Sequence, residues 1–184
     1  MQSIDVAVQN YFSLIHSPGT TAFMYLFTIL FDFSLHFLVV IGCVTILIYN
    51  LRGRHLAFLF VSSLVYCFVL VFLLKFFLEV GRPPQALIDG IGYSFPSGHT
   101  AEATVFFVML IYIFGRKMKA FWRAVFNLLC IVSITFVAFS RVYLGVHWAS
   151  DVVFGVIFGL FVSWFSIFIF NHLSFTKKSQ VVIK

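Results

Sequence analysis

Several runs in this chain are apolar for about 20 residues, the length needed to cross the hydrocarbon of a bilayer, and no other feature limits its fold as strongly. Inside hydrocarbon every backbone N–H and C=O must be satisfied by the segment itself, so only helices and closed barrels can span. The runs here are continuously apolar and do not alternate, which selects helices. Composition agrees: 62% of the 184 residues are hydrophobic and only 10% are charged, against about a quarter charged in soluble domains. The expectation is an all-α integral membrane helical bundle, a single membrane-embedded domain over residues 1–184. Its five spans are expected at about 22–49, 56–78, 99–115, 124–141 and 148–170.

Residues 1–19 are too polar to span. Ile4, Val8, Tyr11, Phe12 and Ile15 recur at helical spacing, with Gln2, Asp5, Gln9 and Asn10 on other faces. This predicts an amphipathic helix, ended by Ser17-Pro18-Gly19, lying at the membrane surface or packed on neighbouring spans. No basic segment precedes an apolar core, so it does not read as a cleavable signal. Cys43, Cys67 and Cys130 lie inside apolar runs and read as small buried hydrophobes. Asp32 and His36, four apart in the first run, fit an ion pair or an interfacial position.

The charges are distributed unevenly. Five spans put the turns at 50–55 and 116–123 on one side with the tail at 172–184. These hold nine of the twelve Lys and Arg and no Asp or Glu, so the positive-inside rule makes this side cytoplasmic. Such dispersed basic residues argue for membrane orientation, with no nucleic-acid partner. Lys75, Arg82 and Arg141 fall on the opposite side, where orientation does not account for them.

Three clusters gather there: Lys75 with Arg82-Pro83; Pro96-Ser97-Gly98-His99; and Ser140-Arg141 followed by His147 and Asp151. Cations at a bilayer are costly unless paired or hydrated. An anion is their natural partner, and Lys75, Arg82 and Arg141 could surround a phosphate. Ser97 and Gly98 open a helix, whose N–H groups and dipole favour an anion. His147 and Asp151, four apart, would share a helix face, the carboxylate fixing the imidazole tautomer. His147 could then attack phosphorus, and His99 could protonate the leaving oxygen and activate water. With cations stabilising the charge, no metal or other cofactor is expected. A non-catalytic protein that binds anionic lipid is the alternative; it would need the cations but neither histidine.

The three clusters, in this order and on one side, resemble the tripartite signature of the type 2 phosphatidic acid phosphatase (PAP2) superfamily. The resemblance runs from Lys75 to Asp151 without a gap or substitution in the motifs. It implies a six-helix membrane core and a metal-independent phosphomonoesterase or diphosphatase. His147 is then implied as nucleophile, Asp151 as its orienting partner and His99 as general acid. Lys75, Arg82, Ser97, Gly98 and Arg141 are implied as the phosphate ligands. The spans point to a lipid phosphate, with undecaprenyl diphosphate favoured over phosphatidylglycerol phosphate, phosphatidate or the 1-phosphate of lipid A. Superfamily haloperoxidases resemble the chain only at the site. The expected location is a bacterial inner membrane with the site facing outward. Glu102, one turn after His99, reads as a local structural residue. Tyr93, Tyr143 and Trp148 read as interfacial anchors.

Overall fold

The computed structural model describes residues 2–29, 35–88 and 90–182, and the side chains among these other than 2, 27 and 174–182. The described residues form seven α-helices and no strand: α1 (Gln2–Leu14), α2 (Pro18–Ile29), α3 (Leu35–Arg52), α4 (Arg54–Leu78), α5 (Gly98–Gly115), α6 (Ala120–Tyr143) and α7 (Ala149–Val182). Five of them, α3 to α7, are long and apolar enough to cross a membrane.

The centre of the bundle is α5, which packs against α4, α6 and α7, while α3 lies on α4 and α2 on α6. Its sequence suits that place. Ala101, Ala103 and Thr104 keep the helix thin near its start, and Val105, Phe106 and Met109 fill the core with Phe60 and Leu64 of α4. Gly155 and Gly159 of α7 bring the two backbones together. A Cβ on Gly155 would lie 2.9 Å from the Ser97 carbonyl oxygen, and one on Gly159 only 2.7 Å from that of Ala101. Small residues four apart permit this approach where lipid offers no hydrophobic drive between helices.

The run at 22–49 is described in two parts: α2 (Pro18–Ile29) packs on α6, and α3 (Leu35–Arg52), which is long and apolar enough to span, packs on α4. Residues 30–34 of the run lie outside the described residues. Asp32 lies outside the described residues, and His36 is exposed.

The helix at the N-terminus is present, but its inward face mixes polar and apolar side chains: Val8 and Phe12 pack inward beside Asp5 and Gln9. Asp5, Gln9 and Phe12 are buried against α6 and α7, whereas Ile4 and Tyr11 are 67% and 61% exposed. Where the surrounding solvent is lipid, apolar side chains gain nothing by turning inward, and polar ones seek partners in the protein. Asp5 finds them at the start of α7: its carboxylate accepts from the Ser150 N–H at 2.9 Å and from the Ser150 hydroxyl at 2.7 Å. Among the cysteines, Cys67 and Cys130 are buried as expected and Cys43 is exposed on the outside of α3.

Candidate active site

One end of the bundle collects the C-terminal turns of α4 and α6, the N-terminal turns of α5 and α7, and the long connection between α4 and α5. Lys75, Arg141, Ser97-Gly98-His99 and Asp151 therefore meet at one membrane face, joined by Arg82 and His147 from the connections. A cavity of about 380 Å³ opens there, lined by Lys75, Arg82, Gly98, His99, Arg141 and His147.

His147 sits in the turn before α7 and not on a helix. This corrects the expectation of a shared helical face, since it is Asp151 that reaches back. The Asp151 carboxylate accepts the Trp148 backbone N–H at 2.9 Å, the reciprocal half of a capping box carried by the third residue of the helix. The same oxygen, Oδ2, lies 3.4 Å from His147 Nδ1. The turn leading in requires glycine: Gly145 has φ +72°, and a Cβ there would meet the Gln85 carbonyl oxygen at 2.9 Å.

Sequence reasoning missed Ser94. Its buried hydroxyl donates to Asp151 Oδ2 and lies 3.3 Å from His147 Nδ1. Both groups thus engage one ring nitrogen and leave Nε2 for other chemistry. Position alone supplied a signal, three residues before Ser97, but serine is too common in helical membrane proteins for its type to mark it.

The His147 imidazole is held well below its ordinary pKa, first by burial and then by Arg141, Arg82, Lys75 and His99. A positive charge on the ring would be desolvated and surrounded by cations. Both causes favour the neutral form of the ring.

The cations are fastened to the backbone around the cavity. Lys75 Nζ donates to the carbonyls of Tyr93 and Ser94, at 2.5 and 3.1 Å. The Arg82 guanidinium donates to the carbonyls of Gly92, Val146 and Ile91 at 2.7–2.9 Å, so it ties the α4–α5 connection to the turn that carries His147. Arg141, 5% exposed, donates through Nη1 to Thr28 Oγ1 at 2.6 Å and links α6 to α2. Thr28 is a second residue that the sequence did not single out.

Ser97 directs its hydroxyl to Thr100 Oγ1, 3.0 Å away, and its N–H to the Asp151 carbonyl. Gly98 lines the cavity, and an added Cβ would make only ordinary contact with Val71. Glu102 is 2% exposed and lines the cavity together with His99. Tyr143 is buried, its hydroxyl taking the Ser17 N–H, and Trp148 donates to the Gly81 carbonyl. Tyr143 is thus held inside the protein, whereas Trp148 is half-buried. Among the described residues no three His, Cys, Asp or Glu side chains converge as metal ligands.

Beyond the cations the cavity continues onto apolar side chains, Ile29 of α2 and Phe68, Val71 and Phe72 of α4. Polar cradle and apolar wall together suit a molecule with a phosphate at one end and hydrocarbon at the other.

Known proteins are similar to this chain in sequence and fold. An undecaprenyl-diphosphatase from Sulfolobus acidocaldarius is 32% identical over 123 residues, 63% of this chain and 56% of its own. A lipid A 4'-phosphatase from Bacteroides thetaiotaomicron is 31% identical over 94 residues, 51% of this chain and 39% of its own. The matches thus span about half or less of those relatives. The crystal structure of a transmembrane PAP2-type phosphatidylglycerolphosphate phosphatase from Bacillus subtilis superimposes with a TM-score of 0.84 at 26% identity, covering 93% of this chain and 86% of that one. The family model of the PAP2 superfamily matches residues 54–174, from the start of α4 deep into α7 and across all three clusters, and the chain belongs to that superfamily.

Proposed function

We propose that this protein hydrolyses a lipid phosphate or diphosphate through a phosphohistidine on His147, without a metal, and that undecaprenyl diphosphate is the favoured substrate. One observation carries the reading. His147, backed by Asp151 and Ser94 at Nδ1, shares a cavity with Lys75, Arg82, Arg141 and His99, and that cavity runs on into apolar wall.

In this mechanism Nε2 of His147 attacks phosphorus and the bond to the leaving oxygen breaks. His99 gives that oxygen its proton, then takes one from the water that cleaves the phosphohistidine and releases inorganic phosphate. Asp151 supports the imidazole as it becomes positive. Lys75, Arg82 and Arg141, with the Ser97 hydroxyl and the N–H of Gly98, hold the phosphate oxygens and offset the charge that builds there, the Ser97 N–H being held by the Asp151 carbonyl. From undecaprenyl diphosphate the product is undecaprenyl phosphate. The site faces outward from a bacterial inner membrane, because the basic turns lie at the other end. The N-terminal helix borders the interface, and residues 172–184 form a cytoplasmic tail.

The test is phosphate release from undecaprenyl diphosphate, phosphatidylglycerol phosphate, phosphatidate and lipid A 1-phosphate, each in excess chelator. The expected result is release fastest from the diphosphate and abolished by His147→Ala. His99→Ala should slow the monophosphates more, since an alkoxide needs protonation more than a phosphate does. Loss of activity in chelator, restored by magnesium, would defeat the metal-free mechanism. Silence on all four lipids would favour a non-catalytic lipid-binding protein.

A further inference from the structure

A second charged pocket lies at the other end of the bundle. It has a volume of about 250 Å³ and sits where α3 ends and α5 ends, with Arg52, Arg116 and Lys117 beside Leu51, Leu56 and Ile113. We propose that this pocket binds the phosphate of an anionic membrane lipid, at the membrane face opposite His147.

The two guanidiniums are fixed in place. Arg52 lies over the Phe114 ring, 5.2 Å from its centroid, and Arg116 lies 4.8 Å from the centroid of Tyr112. Tyr112 is itself held by a hydrogen bond from its hydroxyl to Asn171 of α7, at 2.9 Å. Arg52 Nη2 also donates to the Phe114 carbonyl at 3.5 Å, and the remaining N–H groups of the stacked guanidiniums are suited to oxyanions. No carboxylate competes, because residues 50–56, 112–123 and 157–173 contain no Asp or Glu. Arg52 Nε is closed off from water and has no acceptor among the described residues. A desolvated donor of this kind is unfavourable until an acceptor arrives.

Membrane orientation explains a surplus of basic residues at this end. It does not explain why three of them border one pocket, two stacked on rings of the same helix. The pocket lies at the level where the spans end, which is the depth of lipid headgroups. Leu51, 62% exposed, and Leu56 continue its rim toward the hydrocarbon. Basic pockets between spanning helices are suited to anionic headgroups in this way. Lipid and free phosphate share the anion but not the hydrocarbon, and the apolar rim favours the lipid.

The test uses the full chain in detergent, titrated with phosphatidylglycerol and read by native mass spectrometry. Zwitterionic phosphatidylcholine serves as the control and inorganic phosphate as a competitor. Wild type should hold a phosphatidylglycerol that Arg52→Gln/Arg116→Gln/Lys117→Gln binds on the order of a hundredfold more weakly. Lys75→Gln, changed at the far end, should retain it. If the triple variant unfolds, the exposed pair Arg116→Gln/Lys117→Gln should still weaken binding on the order of tenfold or more. Equal binding by well-folded variants, or loss in Lys75→Gln instead, would overturn the site. Displacement of the lipid by inorganic phosphate would overturn its assignment to lipid.

Discussion

His147 Nδ1 lies 3.4 Å from Asp151 Oδ2 although the two residues do not share a helix. The pair forms because Asp151 turns back to the N–H of Trp148 and thereby meets a ring in the preceding turn. Replacing Asp151 by Asn keeps the size and removes the charge that supports a positive imidazole. Turnover should fall on the order of a hundredfold or more, with little change in thermal unfolding. A full-speed Asp151→Asn protein would show that His147 works without its carboxylate.

Ser94 offers a finer test of the same geometry. Ser94→Ala withdraws a donor from a buried carboxylate, a loss of about 1–3 kcal/mol for such a group. If that cost fell wholly on the transition state, turnover would drop roughly fivefold to a hundredfold. Ser94→Thr keeps the hydroxyl and should recover part of it. Equal rates for wild type, Ser94→Ala and Ser94→Thr would reduce Ser94 to packing.

Acid should affect the proposed hydrolysis late. His147 is held below its usual pKa, so its neutral form persists as pH falls past the ordinary imidazole range. The acid limb of kcat/KM should therefore lie below about pH 6.5, and with His99 required protonated the profile should be bell-shaped. Arg141→Gln removes the neighbouring charge that acts most strongly on His147 and should move the acid limb upward. The unfolded chain takes up a proton at residue 147 below about pH 6.5 while the folded one does not, so this group lowers stability as pH falls through that window. An acid limb that stays put in Arg141→Gln would mean that another group sets it.

Arg141→Lys should impair turnover despite keeping the charge, because lysine lacks the planar fork that bonds two phosphate oxygens. The loss should be about 1–3 kcal/mol, the range for hydrogen bonds of charged groups. Arg141 also holds Thr28, so Thr28→Val is the necessary companion. If Thr28→Val alone reproduces the full defect, the arginine acts by joining α2 to α6 and not by gripping phosphate.

The α5–α7 contact makes a prediction about stability. A Cβ at position 159 would sit 2.7 Å from the Ala101 oxygen, and overpacking of this kind costs about 1–3 kcal/mol. Gly159→Ala should lower the unfolding temperature in detergent, while Gly42→Ala, with no atom within 4 Å of the new methyl, should leave it unchanged. Matching temperatures for the two variants would mean that α7 moves aside freely.

Most of the motif was legible because membrane chemistry makes it conspicuous. Lys75, Arg82, Arg141, His99, His147 and Asp151 are groups that hydrocarbon excludes, so their presence on the side away from the basic turns called for an anion. Ser94, in the α4–α5 connection, and Thr28, in α2, carry no such mark, since hydroxyls are ordinary both in connections and in apolar helices, where they bond to the backbone one turn back, as Thr45 and Ser133 do here. The α1 faces were misjudged because helical periodicity reports which residues share a face but not which solvent that face meets. Gly155 and Gly159 were a readable signal, four apart in a span, but only the packing of α7 on α5 shows which neighbour they admit.

The contact between Asp5 and Ser150 bears on how this protein is handled. A hydropathy plot would mark the first dozen residues as trimmable and start the molecule at its first span. Yet Asp5 accepts two hydrogen bonds from the residue next to Asp151, so its carboxylate steadies the start of α7, against which the His147 turn is held. An affinity tag fused directly before α1 begins only a few residues from that contact. Placed after α7, which runs from the His147 end to the opposite end, the same tag would sit a full membrane thickness from the chemistry.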